Sequence, residues 1–204
     1  TQESGVTLQE GFALQADNCI IDKYGRLGSR KGWATLSTSK DSSAGANVGV
    51  NLEGISNFKD IDGTDIMLAW SDDKFYRDTT NLITLTPNTS DTIAAGNWQA
   101  ATLNDHHFFY QRGYKPLIYT NESTANEFVA YDNHAHATSG FPSAHTVLAA
   151  YGRLWAADTT TNKTTVWFTD VLDGAKFSTG TAGSLDISSV LTQGMDEIVA
   201  LGAH

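Results

Sequence analysis

The chain has 204 residues, 40% of them hydrophobic, which is enough to bury a core in one or two domains. Its formal net charge is −10, a balance that repels a phosphate backbone and argues against groove-reading DNA binding. No apolar run approaches the roughly 20 residues of a membrane helix, and a single cysteine rules out an intrachain disulfide.

Eighteen glycines and only three prolines occur, with Thr, Ser, Asn and Asp dominating the polar set. That is the chemistry of strands and turns. Residues 1–50 read as a leader, hairpin and linker. Leu8–Cys19 is expected to make a short helix-like turn. Ile20-Ile21-Asp22 then enters a turn at Tyr24-Gly25, and Arg26–Arg30 leaves it towards Trp33. Gly25 supplies the positive φ that such a hairpin turn demands. Residues 37–49, rich in Ser, Gly, Ala and Lys, read as an exposed linker. Cys19, beside Ile20 and Ile21, reads as a small buried hydrophobe and not as a nucleophile.

Residues 51–204 carry a loose internal repeat. An apolar stretch, a turn and an aromatic-tipped strand recur as Asp65–Trp70 with Lys74–Asp78, His106–Gln111 with Pro116–Thr120, and Arg153–Asp158 with Thr165–Asp170. The anchors Tyr76, Tyr119 and Trp167 lie 43 and 48 residues apart. A period of roughly 40–50 residues with several short strands per unit predicts β-propeller blades. The first blade is expected in Ile55–Ile61, Asp65–Trp70, Lys74–Asp78 and an edge strand Leu82–Thr86, with Asp62-Gly63 as a hairpin turn. The second takes Trp98–Leu103, His106–Gln111, Pro116–Thr120 and Phe128–Tyr131. The third takes Thr146–Ala150, Arg153–Ala157, Thr165–Thr169 and Leu185–Ser188, with a tight turn at Tyr151-Gly152. Glu197–Leu201 reads as one more strand. It either opens a fourth blade of an incomplete, truncated propeller or closes the first. The fold class is therefore all-β, with about three propeller-like blades of short antiparallel strands and the start of a fourth.

Chemical motifs are sparse. His106 and His107 are adjacent, so in a strand their side chains face opposite ways and cannot share an ion. His134-x-His136 can point the same way in an extended segment, with Asp132 or His145 as the available third ligand, but solvated loop histidines are the default reading. Asp60-x-Asp62-Gly63-x-Asp65 has some look of a calcium loop but lacks the distant bidentate Glu, and a hairpin turn accounts for it. Asp170, Asp173, Gly174 and Phe177 approach the Asp-box turns of sialidase-like propellers, with the wrong spacing. No nucleophile elbow, phosphate loop or dinucleotide fingerprint occurs. No catalytic, cofactor or metal residue is therefore assigned, and no enzyme activity is expected. The strand aromatics read as packing between blades, or as a platform for stacking sugars.

The leader carries the most specific pattern. Gly11–Cys19, containing Ala16-Asp17-Asn18, is followed by Gly25-Arg26-Leu27-Gly28-Ser29-Arg30-Lys31-Gly32-Trp33. This resembles the opening of tailed-phage virion proteins of the nozzle or tail-tubular type, where "Ala-x-Asn … Gly-x-Leu-x-x-Arg-x-Gly-aromatic" precedes β-propeller repeats. The chain is shorter than members of that family. The resemblance implies a structural subunit of the virion tail, assembled in the bacterial host cytoplasm as a homo-oligomeric ring, often six-fold. It would contact other tail or connector proteins, with genomic DNA passing through the lumen without sequence-specific binding. An acidic lumen suits that passage, because it repels phosphates. On this reading Arg26, Arg30, Lys31 and Trp33 form a subunit contact; a solvated turn accounts for the same basic residues. Two readings from other classes stand beside it: a carbohydrate-binding or carbohydrate-active propeller at the host surface, and a fragment of a cellular interaction propeller.

Overall fold

The computed structural model describes residues 19–21, 23–24, 27–29, 52–71, 73–78, 82–85, 93, 95–120, 128–190 and 197–203. The chain divides into two units, Thr1–Thr38 and Ser39–His204. In the first unit, β1 (Cys19–Ile21) and β2 (Leu27–Ser29) pair antiparallel, with Cys19 opposite Ser29. The expected leader hairpin is present. Cys19, however, belongs to a strand and not to a helix-like turn, because the β-branched Ile20 and Ile21 favour the ladder. Its side chain is half-buried. Arg26, Arg30, Lys31 and Trp33, the residues of the expected subunit contact, lie outside the described residues, as do residues 8–18 and 37–49.

The second unit holds three four-stranded antiparallel sheets, each a simple meander. Sheet one contains β3 (Gly54–Lys59), β4 (Asp65–Ser71), β5 (Lys74–Asp78) and β6 (Leu82–Leu85). Sheet two contains β7 (Gln99–Leu103), β8 (His106–Tyr110), β9 (Leu117–Tyr119) and β10 (Phe128–Ala130), followed by a 3-10 turn over Tyr131–Asn133. Sheet three contains β11 (Ala144–Ala150), β12 (Arg153–Thr159), β13 (Thr165–Phe168) and β14 (Gly183–Asp186). β6 is an edge strand, as its sequence predicts.

The hairpin turns follow from local chemistry. At Asp62-Gly63, Gly63 takes φ +83°, and its amide donates to the Asp60 carbonyl at 2.8 Å. Between β7 and β8, Asn104 and Asp105 both take left-handed φ, +46° and +66°. That is the two-residue turn whose twist matches paired strands, built from residue types that tolerate it. Tyr151-Gly152 joins β11 to β12 in the same way, with φ of +55° and +69°.

Two cores explain the strand sequences. The first joins sheet one to sheet two through Phe58, Ile66, Leu68, Trp70, Phe75 and Leu85 on one side and Phe109, Leu117, Tyr119 and Phe128 on the other. The second joins the opposite face of sheet two, with Phe108, Tyr110, Ile118 and Val129, to Leu154 and Ala156 of sheet three. Sheet two is thus covered on both faces. This is why β8 lacks polar alternation and buries His107, Phe108, Phe109 and Tyr110 in succession. The three repeat anchors also fall in register. Tyr76, Tyr119 and Trp167 each sit in the third strand of their sheet. Tyr119 faces the preceding sheet, Trp167 packs against the core shared with the preceding sheet, and Tyr76 alternates with Phe75, which faces the following one.

Glu197–Leu201 is not a strand. It is extended chain held by the Ile198 amide on the Lys163 carbonyl (2.9 Å) and by an ion pair between Lys163 and Glu197. β14 already occupies the free edge of β13, so no ladder position in sheet three is left for it on that side. The fourth sheet strand of the third repeat is also displaced from Leu185–Ser188 to Gly183–Asp186. There Gly183 lies opposite Phe168, and a Cβ at Gly183 would press against that ring.

Candidate functional site

The site is built where three pieces of chain meet at one end of sheets two and three. The first is the β7–β8 turn. Asn104 Nδ2 donates to the Leu172 carbonyl at 2.9 Å, tying this turn to the segment after β13. Asp105 accepts the Ile61 amide at 2.8 Å, and Asp60 accepts it too at 2.6 Å, so two carboxylates crowd one amide. Partial burial, followed by the neighbouring Asp60, raises the Asp105 carboxyl above its usual range, against the lowering effect of the Ile61 amide.

The second piece is the turn after β10. The Tyr131 hydroxyl, fully buried, donates to the Ala175 carbonyl. The Thr138 amide donates to the same carbonyl at 3.1 Å, and the Thr138 hydroxyl receives the Phe177 amide at 3.0 Å. Burial pushes the Tyr131 phenol well above its normal value, so it remains a donor at any working pH. Tyr131→Phe should lower unfolding free energy by about 1 kcal/mol, because the Thr138 amide still satisfies the carbonyl. Chemical denaturation of the two proteins measures this directly.

The third piece is the loop between β13 and β14. Asp170 accepts the Thr181 hydroxyl (2.7 Å) and the amides of Thr181 (3.0 Å) and Val171 (2.9 Å), which hold its carboxyl down to about 2. Asp173 accepts the Ala175 amide at 3.0 Å through Oδ1, while its Oδ2 lies 2.9 Å from Lys176 Nζ. That contact raises the Lys176 ammonium above its ordinary value. Gly174 is obligatory here, because a Cβ would strike the buried Phe108 ring and Leu154.

Together these pieces enclose a cavity of about 180 Å³. Phe108, Leu103 and Ala175 give it apolar wall, and His106, His134, His136 and Asp173 give it polar wall. The ring centres of His106 and His134 are 5.0 Å apart, and those of His134 and His136 are 5.6 Å apart. His106 Nδ1 lies 2.9 Å from the Asn104 carbonyl, which can only accept, so that nitrogen carries the proton and Nε2 holds the lone pair. His136 Nδ1 lies 3.7 Å from Asp173 Oδ2, and the His136 amide donates to His134 Nδ1 at 3.2 Å.

The expected opposition of His106 and His107 is present. His107 is buried on the sheet-one side, 5.8 Å from the Phe58 ring, and His106 faces the cavity. His134 and His136 lie with their ring centres 5.6 Å apart, but in a turn closed by the Ala137 amide on the His134 carbonyl (3.0 Å) and not in the extended segment that the pairing supposed. Their neighbours differ from both expected third partners. Asp132 pairs with Lys115 at 2.9 Å, and His145 lies in β11 away from the cavity wall. His106 stands beside His134 instead, and Asp173 beside His136. The Asp60–Asp65 segment is a hairpin turn, as expected. Among the described residues no group of three or more His, Cys, Asp or Glu side chains could hold a metal ion.

No family model, no curated protein and no solved structure matches the chain. The candidate site therefore rests on its own geometry. No helix among the described residues is long and apolar enough to cross a membrane.

Proposed function

We propose that the chain is a structural subunit of a tailed-phage virion tail, of the nozzle or tail-tubular kind. Its three sheets act as propeller-like blades, and copies assemble as a homo-oligomeric ring around the DNA exit channel. The observation that carries this reading is the serial stack: three four-stranded meanders share two aromatic cores, each core made by one sheet and the next. In such a stack each sheet buries its apolar face only against its neighbour, so the stability of the chain sits in the inter-sheet packing. The leader pattern Gly25–Trp33 and the net charge of −10 support the same reading, since an acidic lumen lets DNA slide. Neighbouring tail or connector proteins are its other partners, and the virion is its location.

The test is mass and imaging of the purified full chain, together with proteomics of purified virions. Rings with a central channel in electron micrographs, and a virion copy number that is a multiple of the tail symmetry, are expected. A monomer at every concentration that is also missing from virions overturns the proposal. Saturable binding on a glycan array would move the function to a carbohydrate-binding propeller.

A further inference from the structure

We propose that the outward face of sheet three is a self-association surface, and that what covers it is the same face of a second copy of this chain.

The strand register defines the face. Leu148, Trp155 and Phe168 lie opposite one another across β11, β12 and β13. Ala157, Val166 and Leu185 do so across β12, β13 and β14. The residues that alternate with them, Leu154, Ala156 and Trp167, pack into the core shared with sheet two. Side chains alternate across a strand, so the first two rows point the other way, and neither core includes them. Leu148, Trp155, Val166 and Phe168 are half-buried, and Leu185 is exposed. An antiparallel face turned to water normally carries polar residues. Here the polar residues are Thr146, opposite Ala157, and Arg153, opposite Ala150.

The repeat says what such a face is for. In sheet one, the cross-strand pair Trp70–Phe75 of β4 and β5 faces sheet two and fills the joint between them. In sheet two, Phe108–Ile118 of β8 and β9 faces sheet three and does the same. The equivalent pair in sheet three is Trp155–Phe168 of β12 and β13, with ring centres 5.3 Å apart. It has the composition of a joint, and a joint needs another sheet packed face to face upon it.

Charge identifies that sheet. The chain carries a net charge of −10, so two copies repel one another over most approaches. The rows on this face contain no Asp or Glu. Arg153 is the charged residue there, and its guanidinium is occupied: it lies 5.5 Å from the centre of the Phe168 ring and donates to the carbonyls of Thr169 and Thr181. Two copies therefore meet here without opposing carboxylates. Head-to-tail stacking would need the outward face of sheet one instead. There Ala69 and Tyr76, opposite one another across β4 and β5, are already buried. The same face on both partners remains, which is the isologous contact of a two-fold pair. A two-fold pair does not by itself close a ring, so this contact goes beyond the ring reading and is separable from it.

The experiment follows the full chain by sedimentation over a concentration series, with hydroxyl-radical footprinting read by mass spectrometry. Concentration-dependent pairing is expected, with oxidation of Leu148, Trp155 and Val166 falling as the pair forms. Leu185→Asp should weaken pairing roughly 10-fold and Val166→Asp/Leu185→Asp roughly 100-fold, because each places a carboxylate against apolar surface. Ile61→Asp adds the same charge at an exposed turn of sheet one and should pair as the parent does. Far-ultraviolet circular dichroism and melting check that each variant is folded; Leu185, exposed on an edge strand, is the substitution the fold bears most easily. A parent that stays monomeric, pairing unchanged in the folded variants, or protection of the face in a monomer each overturns the proposal. A parent that pairs here yet forms no ring in micrographs overturns the ring and not this contact. A ring unaffected by the folded double variant does the reverse.

Discussion

Phe75→Ala should lower unfolding free energy by about 3–5 kcal/mol. Phe75 is 1% exposed and sits where sheet one meets sheet two. Its ring centre lies 4.9 Å from Phe109, 5.2 Å from Phe128, 5.5 Å from Trp98 and 6.0 Å from Trp70. Three of those four rings belong to chain beyond sheet one, so truncation opens a void that no single sheet can close. Edge-to-face pairs add roughly 0.5–1.5 kcal/mol each beyond area burial. Against a typical total of about 5–15 kcal/mol the loss is severe. A fall in melting temperature of roughly 10 °C is expected. Ile55→Ala, on an exposed position of β3, is the control and should change stability by under about 0.5 kcal/mol. Equal melting of the Phe75 variant and the parent would mean that the first core is not the joint between the sheets.

The same inter-sheet joint explains what could be read from sequence. The repeat was visible because it is local: each unit needs a hairpin turn, a central strand and an aromatic third strand, and each appears in a short window. Asp62-Gly63 and Tyr151-Gly152 announce themselves through glycine. Asn104-Asp105 does not, although it makes the same turn as Tyr151-Gly152, because left-handed Asn and Asp carry no unique signature. Strand ends set by neighbours were less legible. β14 begins at Gly183, where a Cβ would press against the Phe168 ring, a contact between two segments 15 residues apart. Glu197–Leu201 has strand composition but is held at the Lys163 carbonyl next to β13, whose edge β14 already occupies, and composition alone does not report which edges are taken.

The candidate site was half legible for a related reason. His134 and His136 are neighbours in sequence, so their pairing is a matter of local geometry. His106 is 28 residues away from His134. It reaches the cavity only because the Tyr131 hydroxyl, the Thr138 amide and Asn104 Nδ2 fasten three turns together. Each of those bonds ends on a backbone carbonyl, Ala175 or Leu172, which leaves no mark on residue type. Asp132, the nearer acidic residue in sequence, is drawn away by Lys115. Proximity along the chain was therefore the wrong guide to the third partner.

His107 gives the second large effect, and its sign follows from burial. The ring is 2% exposed; Nδ1 meets the Thr102 hydroxyl at 2.6 Å and Nε2 has no partner. Desolvation penalises the charged ring and pulls its pKa from 6.5 down to about 4. Above pH 6.5 the ring is neutral in both states and adds no slope. Between 6.5 and about 4 only the unfolded chain takes up the proton, so stability falls as pH falls. Below about 4 both states carry it and the slope ends. The shift corresponds to a loss on the order of 3 kcal/mol across that window. His107→Phe keeps the aromatic contacts to Phe58 and Phe109 and cannot titrate. Urea unfolding of both proteins from pH 7.5 to 4 should show a widening gap in favour of the variant, beginning near pH 6.5. Parallel curves over that range would mean that the folded state accepts a charged ring between its sheets, and the burial argument would fail.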